Sequence, residues 1–145
     1  MKNLRSKIIA AAWFFLFFWV LYYQLWGRHL YLVTAYCNCP ICVNVPKYRD
    51  GQFASGRKVY WGAAAADPKI HFRTKIELVP MWPSDFWKIS HILQDRRRFR
   101  VEDRGGKIHG RHIDLFIPEE LGGHQTALQW GRQKMRIRLD GELAD

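Results

Sequence analysis

The chain has 145 residues and a formal net charge of +10, from 23 Lys+Arg against 13 Asp+Glu. That length allows one domain plus a short extra element and excludes a second full domain. No internal repeat or low-complexity segment is visible, which excludes a solenoid or an array.

The first predicted element is apolar. From Ile8 to Gly27 the run IIAAAWFFLFFWVLYYQLWG holds no charged residue. As a helix, ~20 residues span ~30 Å, the hydrocarbon thickness of a bilayer. Lys2, Arg5 and Lys7 precede it with no acidic neighbour, a bias that keeps the N-terminus inside and sends the rest outside. Tyr22, Tyr23 and Trp26 suit its outer interface. A buried core helix would be shorter and show a polar face. A cleaved signal peptide would carry small residues after its apolar core, yet Ala10–Ala12 open the run and nothing of the A-x-A kind follows Trp26. Tyr36 just before Cys37 argues against a lipoprotein site. The sequence thus predicts a single-pass membrane anchor over residues 1–27 and a domain over residues 28–145 on the periplasmic or extracellular side.

Residues 28–145 keep 20 Lys+Arg against 13 Asp+Glu, a net of +7. A basic exported domain is drawn to anionic surfaces: phospholipid headgroups, teichoic acids, or peptidoglycan with its peptide carboxylates. Nucleic acid would read the same charge, but the predicted orientation argues against it as a partner. Part of the excess is local, in Arg96-Arg97-Arg98 and in Arg132 to Arg138, where a solvated face is the ordinary explanation.

Within the domain, short apolar runs are broken by Gly, Pro and Asp. Strands are predicted at Leu30–Tyr36, Val59–Ala66, Lys75–Val79, Phe99–Asp103 and Lys134–Leu139, from β-branched and aromatic content or from period-two alternation. Asp114 sits in a further apolar strand, between Ile113 and Leu115-Phe116-Ile117. Many short strands at such spacing indicate a barrel or sandwich. Met81–Arg98 reads as a loop insertion with one helical turn or more. A helix follows Pro118-Glu119-Glu120, with its regular part between His124 and Gly131 because Gly122-Gly123 interrupts it.

Cys37, Cys39 and Cys42 form C-x-C-x-x-C after the first strand. Three thiolates and one histidine suit zinc. No histidine stands at close ligand spacing, however, so a fourth ligand would have to come from a distance. In an oxidising compartment paired cysteines are the default, and one disulfide with one leftover thiol is the preferred reading over a metal site. Cys37 and Cys39 are poorly placed to bond each other, which makes Cys42 the partner of one of them. A catalytic cysteine would need a nearby base, and none is evident. No cofactor is expected.

Three aspartates stand at junctions. Asp67 follows the all-small run Ala63–Ala66, Asp103 precedes Arg104-Gly105-Gly106, and Asp114 lies in its apolar strand. Taken singly, such an aspartate is usually a turn former or a solvated strand residue. In a partly dry site its pKa rises and it becomes a general acid. Their surroundings occur in a particular order: Thr34-Ala35-Tyr36, Ala54-Ser55-Gly56, Ala65-Ala66-Asp67-Pro68, then Glu102-Asp103-Arg104-Gly105-Gly106-Lys107-Ile108-His109-Gly110-Arg111-His112-Ile113-Asp114-Leu115-Phe116, and Ala127-Leu128-Gln129-Trp130-Gly131-Arg132. This order resembles the 3D domain, named for three aspartates and shared with MltA-like lytic transglycosylases and stationary-phase-survival muralytic proteins. The resemblance covers residues 32–139.

The resemblance implies a mainly-β fold, a six-stranded double-psi β-barrel with one or two short helices, preceded here by the predicted transmembrane helix. It implies cleavage of the MurNAc–GlcNAc β-1,4 bond of peptidoglycan, with Asp114 as the sole acid/base and Asp103 and Asp67 supporting it. Thr34 and Tyr36 are suited to hydrogen-bond sugar hydroxyls, and with Ser55, Gly105, Gly106 and Lys107 they are the candidate substrate-binding residues. Its glycan partner would be the peptidoglycan strand; a homodimer stays open. The alternative is a module that binds peptidoglycan without cleaving it. Trp61 is a candidate to stack on a sugar, although a core role is the commoner one for an aromatic. His109 and His112 flank Asp114 as groove or surface residues. Two departures from the family pattern bear on the groove: Arg104 stands where threonine is common, and His71-Phe72-Arg73-Thr74 replaces a Pro-x-Gly-Thr turn. The segment between Asp67 and Asp103 is also long.

Overall fold

The computed structural model describes residues 2–27, 30–43, 45–46, 49–140 and 142–143. Helix α1 (Lys2–Gly27) comes first. Its side chains are described at Ile9 and from Ala11 to Tyr22, and all of these are exposed, Phe15 at 73% and Trp19 at 71%. The side chains of Lys2, Arg5, Lys7, Tyr23 and Trp26, on which the orientation and interface readings rest, lie outside the described residues, as does residue 28 at the domain boundary. Among the described residues no helix is long and apolar enough to cross a membrane.

The domain is a closed barrel. Strands β1 (Leu30–Tyr36), β2 (Ala63–Ala66), β3 (Lys75–Val79), β4 (Arg98–Asp103), β5 (His112–Phe116) and β6 (Gln133–Leu139) lie in the order β1-β5-β2-β4-β3-β6, and β1 pairs back onto β6. Two pairings, β1–β5 and β2–β4, are parallel, and the other four are antiparallel. A short β7 (Glu142–Leu143) adds a hairpin to the end of β6. In β1, β3, β4 and β6 the predicted alternation turns one side inward: Tyr31 and Val33 from β1, Ile76 and Leu78 from β3, Phe99 and Val101 from β4, Met135 and Ile137 from β6. Burying such a side chain fully contributes about 1.5–3 kcal/mol. Helix α3 (Gly123–Trp130) places Trp130 in this core, fully buried, with its indole N–H donating to the Val33 carbonyl at 3.2 Å. A short 3₁₀ turn, Glu119–Leu121, leads into it.

Two predicted elements differ. The strand expected over Val59–Ala66 is confined to Ala63–Ala66. Gly62 ends the preceding turn at φ 111°, and a Cβ there would stand 2.6 Å from the Arg96 guanidinium. The insertion at Met81–Arg98 is largely a helix, α2 (Pro83–Ile92). Pro83 opens its first turn, and the Asp85 carboxylate accepts the N–H groups of Met81 and Trp82 at 2.9 and 3.0 Å. Ile89 and the following Leu93 bury against the barrel, whereas Trp82, Phe86 and Trp87 stay exposed. Those exposed aromatics blur the periodicity that would otherwise mark the helix.

Candidate active site

Strand register gathers the acidic side chains. In the parallel pair β1–β5, Thr34 is opposite Asp114. In β2–β5, Asp114 is opposite Ala65. In β2–β4, Ala65 is opposite Asp103, because a register shift between Ala64 and Ala65 skips Glu102. Residues opposite one another across a sheet share a face, so Thr34, Asp114, Ala65 and Asp103 form one row. The bulge decides which acid joins it. Glu102 turns the other way, fully buried, accepting from the Tyr60 hydroxyl at 3.1 Å. Ala65, 2% exposed, separates the two aspartates with the smallest side chain that still has a Cβ.

The two carboxyl groups are held differently. Asp103 takes three hydrogen bonds: from the Tyr36 hydroxyl at 2.5 Å, the Ala54 N–H at 3.0 Å and its neighbour Arg104 N–H at 2.9 Å. Asp114 takes one side-chain bond, from the Thr34 hydroxyl at 2.6 Å. His112 Nε2 lies 2.9 Å from the same Thr34 oxygen, so Thr34 bridges the carboxylate and the imidazole. Burial pushes the Asp114 carboxyl up to about 6, the Thr34 bond opposes that rise, and the Asp103 charge adds to it. Burial lowers the His112 pKa, which favours a neutral ring. The Tyr36 phenol is pushed well up by burial and by Asp103, so it stays a donor. The row can therefore present a protonated carboxylic acid beside a firmly held carboxyl partner.

Both aspartates line a groove of about 830 Å³, together with Tyr36, Ala65, Gly105, Gly106 and Lys107. Gly105 is required at its turn, since a Cβ there would stand 2.5 Å from the Ile108 side chain. The lining also includes Ile41, Val43 and Phe53, which the sequence did not single out, and Cys42 of the cysteine motif. A depression of about 740 Å³ that shares no lining residue with the groove gathers Arg57, Arg96, Arg98, Arg100 and Arg138.

Not every predicted site residue reaches the groove. Asp67 is not on its lining. Its carboxylate accepts the N–H groups of Lys69 and Gly110, the first at 2.8 Å, and these bonds lower its pKa. It ties the loop after β2 to the turn before β5, a positioning role. Ser55 is also off the lining: its N–H donates to the Glu102 carbonyl at 2.9 Å, fixing the loop that carries Ala54. Trp61 packs edge-on to Phe99 at 5.5 Å, with Arg96 5.3 Å from its ring centre, and is not on the groove lining either. His109 is exposed and bonds the Gly106 carbonyl at 3.0 Å. The two departures meet each other. The Arg104 guanidinium sits 4.1 Å from the Phe72 ring centre and donates to the carbonyls of Ala66 at 3.3 Å and Ile70 at 2.6 Å.

The cysteines depart from the favoured disulfide. All three are free, and Cys37 Sγ is 3.5 Å from Cys42 Sγ, well beyond the ~2.05 Å of an S–S bond. A histidine does stand beside them. His124, at the start of α3, brings its Nδ1 to 3.4 Å from Cys42 Sγ and 3.8 Å from Cys39 Sγ. No local spacing signals it, since it lies 82 residues from Cys42.

No family model matches the sequence, and no curated protein matches it. Among solved structures the chain is similar to MltA from Escherichia coli. One structure of that protein, described as revealing a unique lytic transglycosylase fold, aligns at 22% identity with a TM-score of 0.40. A second aligns at 20% and 0.39, and a third, with bound chitohexaose, at 20% and 0.40. Each alignment covers 59% of this chain and 26% of the MltA chain, so the shared part is about a quarter of that protein.

Proposed function

We propose that the chain is a membrane-tethered, lytic-transglycosylase-like enzyme of the 3D type, with a double-psi barrel that cleaves the MurNAc–GlcNAc bond of peptidoglycan. The observation that carries this reading is the row Thr34–Asp114–Ala65–Asp103, of which Asp114, Ala65 and Asp103 line a groove of about 830 Å³, with the Asp114 carboxyl raised to about 6. The substrate class comes from the sequence resemblance, whose two most specific aspartates are the two that line the groove.

The chemistry follows from one acid that starts protonated. Hydrolysis generally needs a second carboxyl group to activate water or to form a covalent intermediate. Here Asp114 donates its proton to the glycosidic oxygen as the C1–O bond breaks. The carboxylate left behind takes the proton of the sugar's own 6-hydroxyl, whose oxygen bonds C1. The product is a 1,6-anhydro ring, no water is consumed, and Asp114 ends protonated. Thr34 steadies the carboxylate between the two steps and links it to His112. Asp103, fixed by Tyr36 and two backbone N–H groups, keeps the pKa of Asp114 up and faces the positive charge that develops at C1. Lys107 and the glycine turn beside it contact the glycan.

Helix α1 is proposed to anchor this barrel in the membrane with the groove outside. Its exposed apolar surface and the uncharged run Ile8–Gly27 support that reading. A chain that leaves washed membranes in high salt, without detergent, would contradict it.

Mass spectrometry of digested sacculi tests the activity. Wild type is expected to release 1,6-anhydro muropeptides and Asp114→Asn none. Hydrolytic products would replace the lytic mechanism, and binding to sacculi without any product would make the domain a glycan-binding module.

A further inference from the structure

We propose that Cys37, Cys39, Cys42 and His124 form a closed, structural zinc site that fastens one wall of the groove to α3. Their four ligand atoms lie within 4.8 Å of one another. A tetrahedral zinc ion, with bonds of about 2.3 Å to sulfur and about 2.0–2.1 Å to nitrogen, sets its ligands about 3.8 Å (S to S) and about 3.6 Å (S to N) apart. The separations here are 3.5 Å for Cys37–Cys42, 3.8 Å for Cys39–His124 and 3.4 Å for Cys42–His124, so three edges of the tetrahedron already have the length an ion needs. A disulfide between Cys37 and Cys42 would need those sulfurs to close by more than an ångström and would leave Cys39 and His124 facing each other with no shared purpose.

The local backbone is built for thiolates. Cys39-Pro40-Ile41-Cys42 is a tight turn closed by the Val43 N–H on the Cys39 carbonyl at 2.9 Å, and it aims two thiols at one point. The Cys42 N–H donates to Cys39 Sγ at 3.4 Å, the outer-shell bond that steadies a metal-bound sulfur. Cys37, fully buried at the end of β1, supplies the third sulfur. All four positions are taken by protein groups, which leaves no open place for water or substrate and makes the site structural. Ile41, Cys42 and Val43 line the groove wall, while His124 belongs to the helix that carries Trp130 into the core. The ion would therefore hold the loop after β1 at a fixed distance from the barrel.

The test uses the full chain in detergent micelles, purified anaerobically with reductant and supplied with zinc sulfate, then exchanged into metal-free buffer. Elemental analysis is expected to find a single zinc per chain. Cobalt in its place is expected to give a thiolate-to-cobalt charge-transfer band and tetrahedral d–d bands. Cys42→Ser should lose zinc to a chelating dye at least ~10-fold more readily, and His124→Cys should keep the ion, because four thiolates also satisfy zinc. Wild type holding less than about a tenth of an ion per chain would overturn the site, as would a Cys42→Ser protein that holds zinc as tightly as wild type. If Cys42→Ser does not fold, the wild-type cobalt spectrum decides: without a thiolate charge-transfer band the proposal fails.

Discussion

Replacing Asp114 with asparagine is expected to make the fold more stable at neutral pH while removing the proposed chemistry. Burial pushes the folded-state Asp114 up to about 6, against an ordinary 3.8 that the unfolded chain retains. The folded state thus binds this proton more tightly. Below about pH 4 both states are protonated and no cost exists; as pH rises through about 6 the folded chain is forced to ionise a buried acid, and stability falls. A gap of about two units, at ~1.36 kcal/mol per unit, makes the full cost about 3 kcal/mol. Asparagine has nearly the same shape, accepts the Thr34 hydroxyl at its carbonyl oxygen and never ionises. Urea unfolding of the two full chains in the same micelle, followed by near-ultraviolet circular dichroism, measures the difference. Asp114→Asn should gain up to about 3 kcal/mol near pH 7.5 and close to nothing near pH 3.5. An equal change at both pH values, or a loss near neutrality, would refute the idea that ionising Asp114 burdens the fold.

The same site predicts the pH dependence of cleavage. Activity on sacculi should fall as pH rises through about 6, the value to which Asp114 is raised. Asp103→Asn, by removing a negative charge, should move that limit down, and Thr34→Val, by removing a bond to the carboxylate, should move it up; unchanged pH–rate profiles would count against both assignments. Ala65→Leu fills the floor between the carboxyl groups. It should cost about 1–3 kcal/mol in unfolding experiments and more than ~100-fold in muropeptide release, a disproportion that marks a groove residue. Arg104→Ala leaves the carbonyls of Ala66 and Ile70 without this donor and should cost about 1–3 kcal/mol, with a coupling to Phe72→Ala of about 0.5–1 kcal/mol in a double-mutant cycle; no coupling would mean the two departures are unrelated.

Much of the barrel was legible because its strands alternate. Leu30–Tyr36 and Lys75–Val79 begin and end where the pattern places them, since each has one face in the core and one outside. Val59–Gly62 misleads because β-branched and aromatic residues also suit a turn that packs against the barrel, as Val59 and Tyr60 do beside Phe53 and Phe116. The pair Asp103 and Asp114 was legible as a motif but not as a geometry. No pattern in Glu102-Asp103 reveals which acid faces the groove; the bulge at Ala64–Ala65 decides it, and bulges depend on pairing with strands far away in sequence. Asp67 shows the reverse case, a motif aspartate spent on two backbone N–H groups. His124 was hidden for a topological reason: a ligand delivered by a helix from the far end of the chain has no spacing rule.

The closure of β1 onto β6 also constrains the order in which the protein can be made. β1 precedes the other strands of the barrel, yet its partners come late in it: Thr34 meets Asp114 80 residues later, and the Val33 carbonyl receives the Trp130 indole 97 residues later. Until β6 emerges, β1 has no neighbour on one side and the barrel has an open seam. Contacts of such long range are slow to form, because a large loop must close before any of them helps. The barrel therefore closes late, and β1 stays without one of its two neighbours until β6 pairs with it.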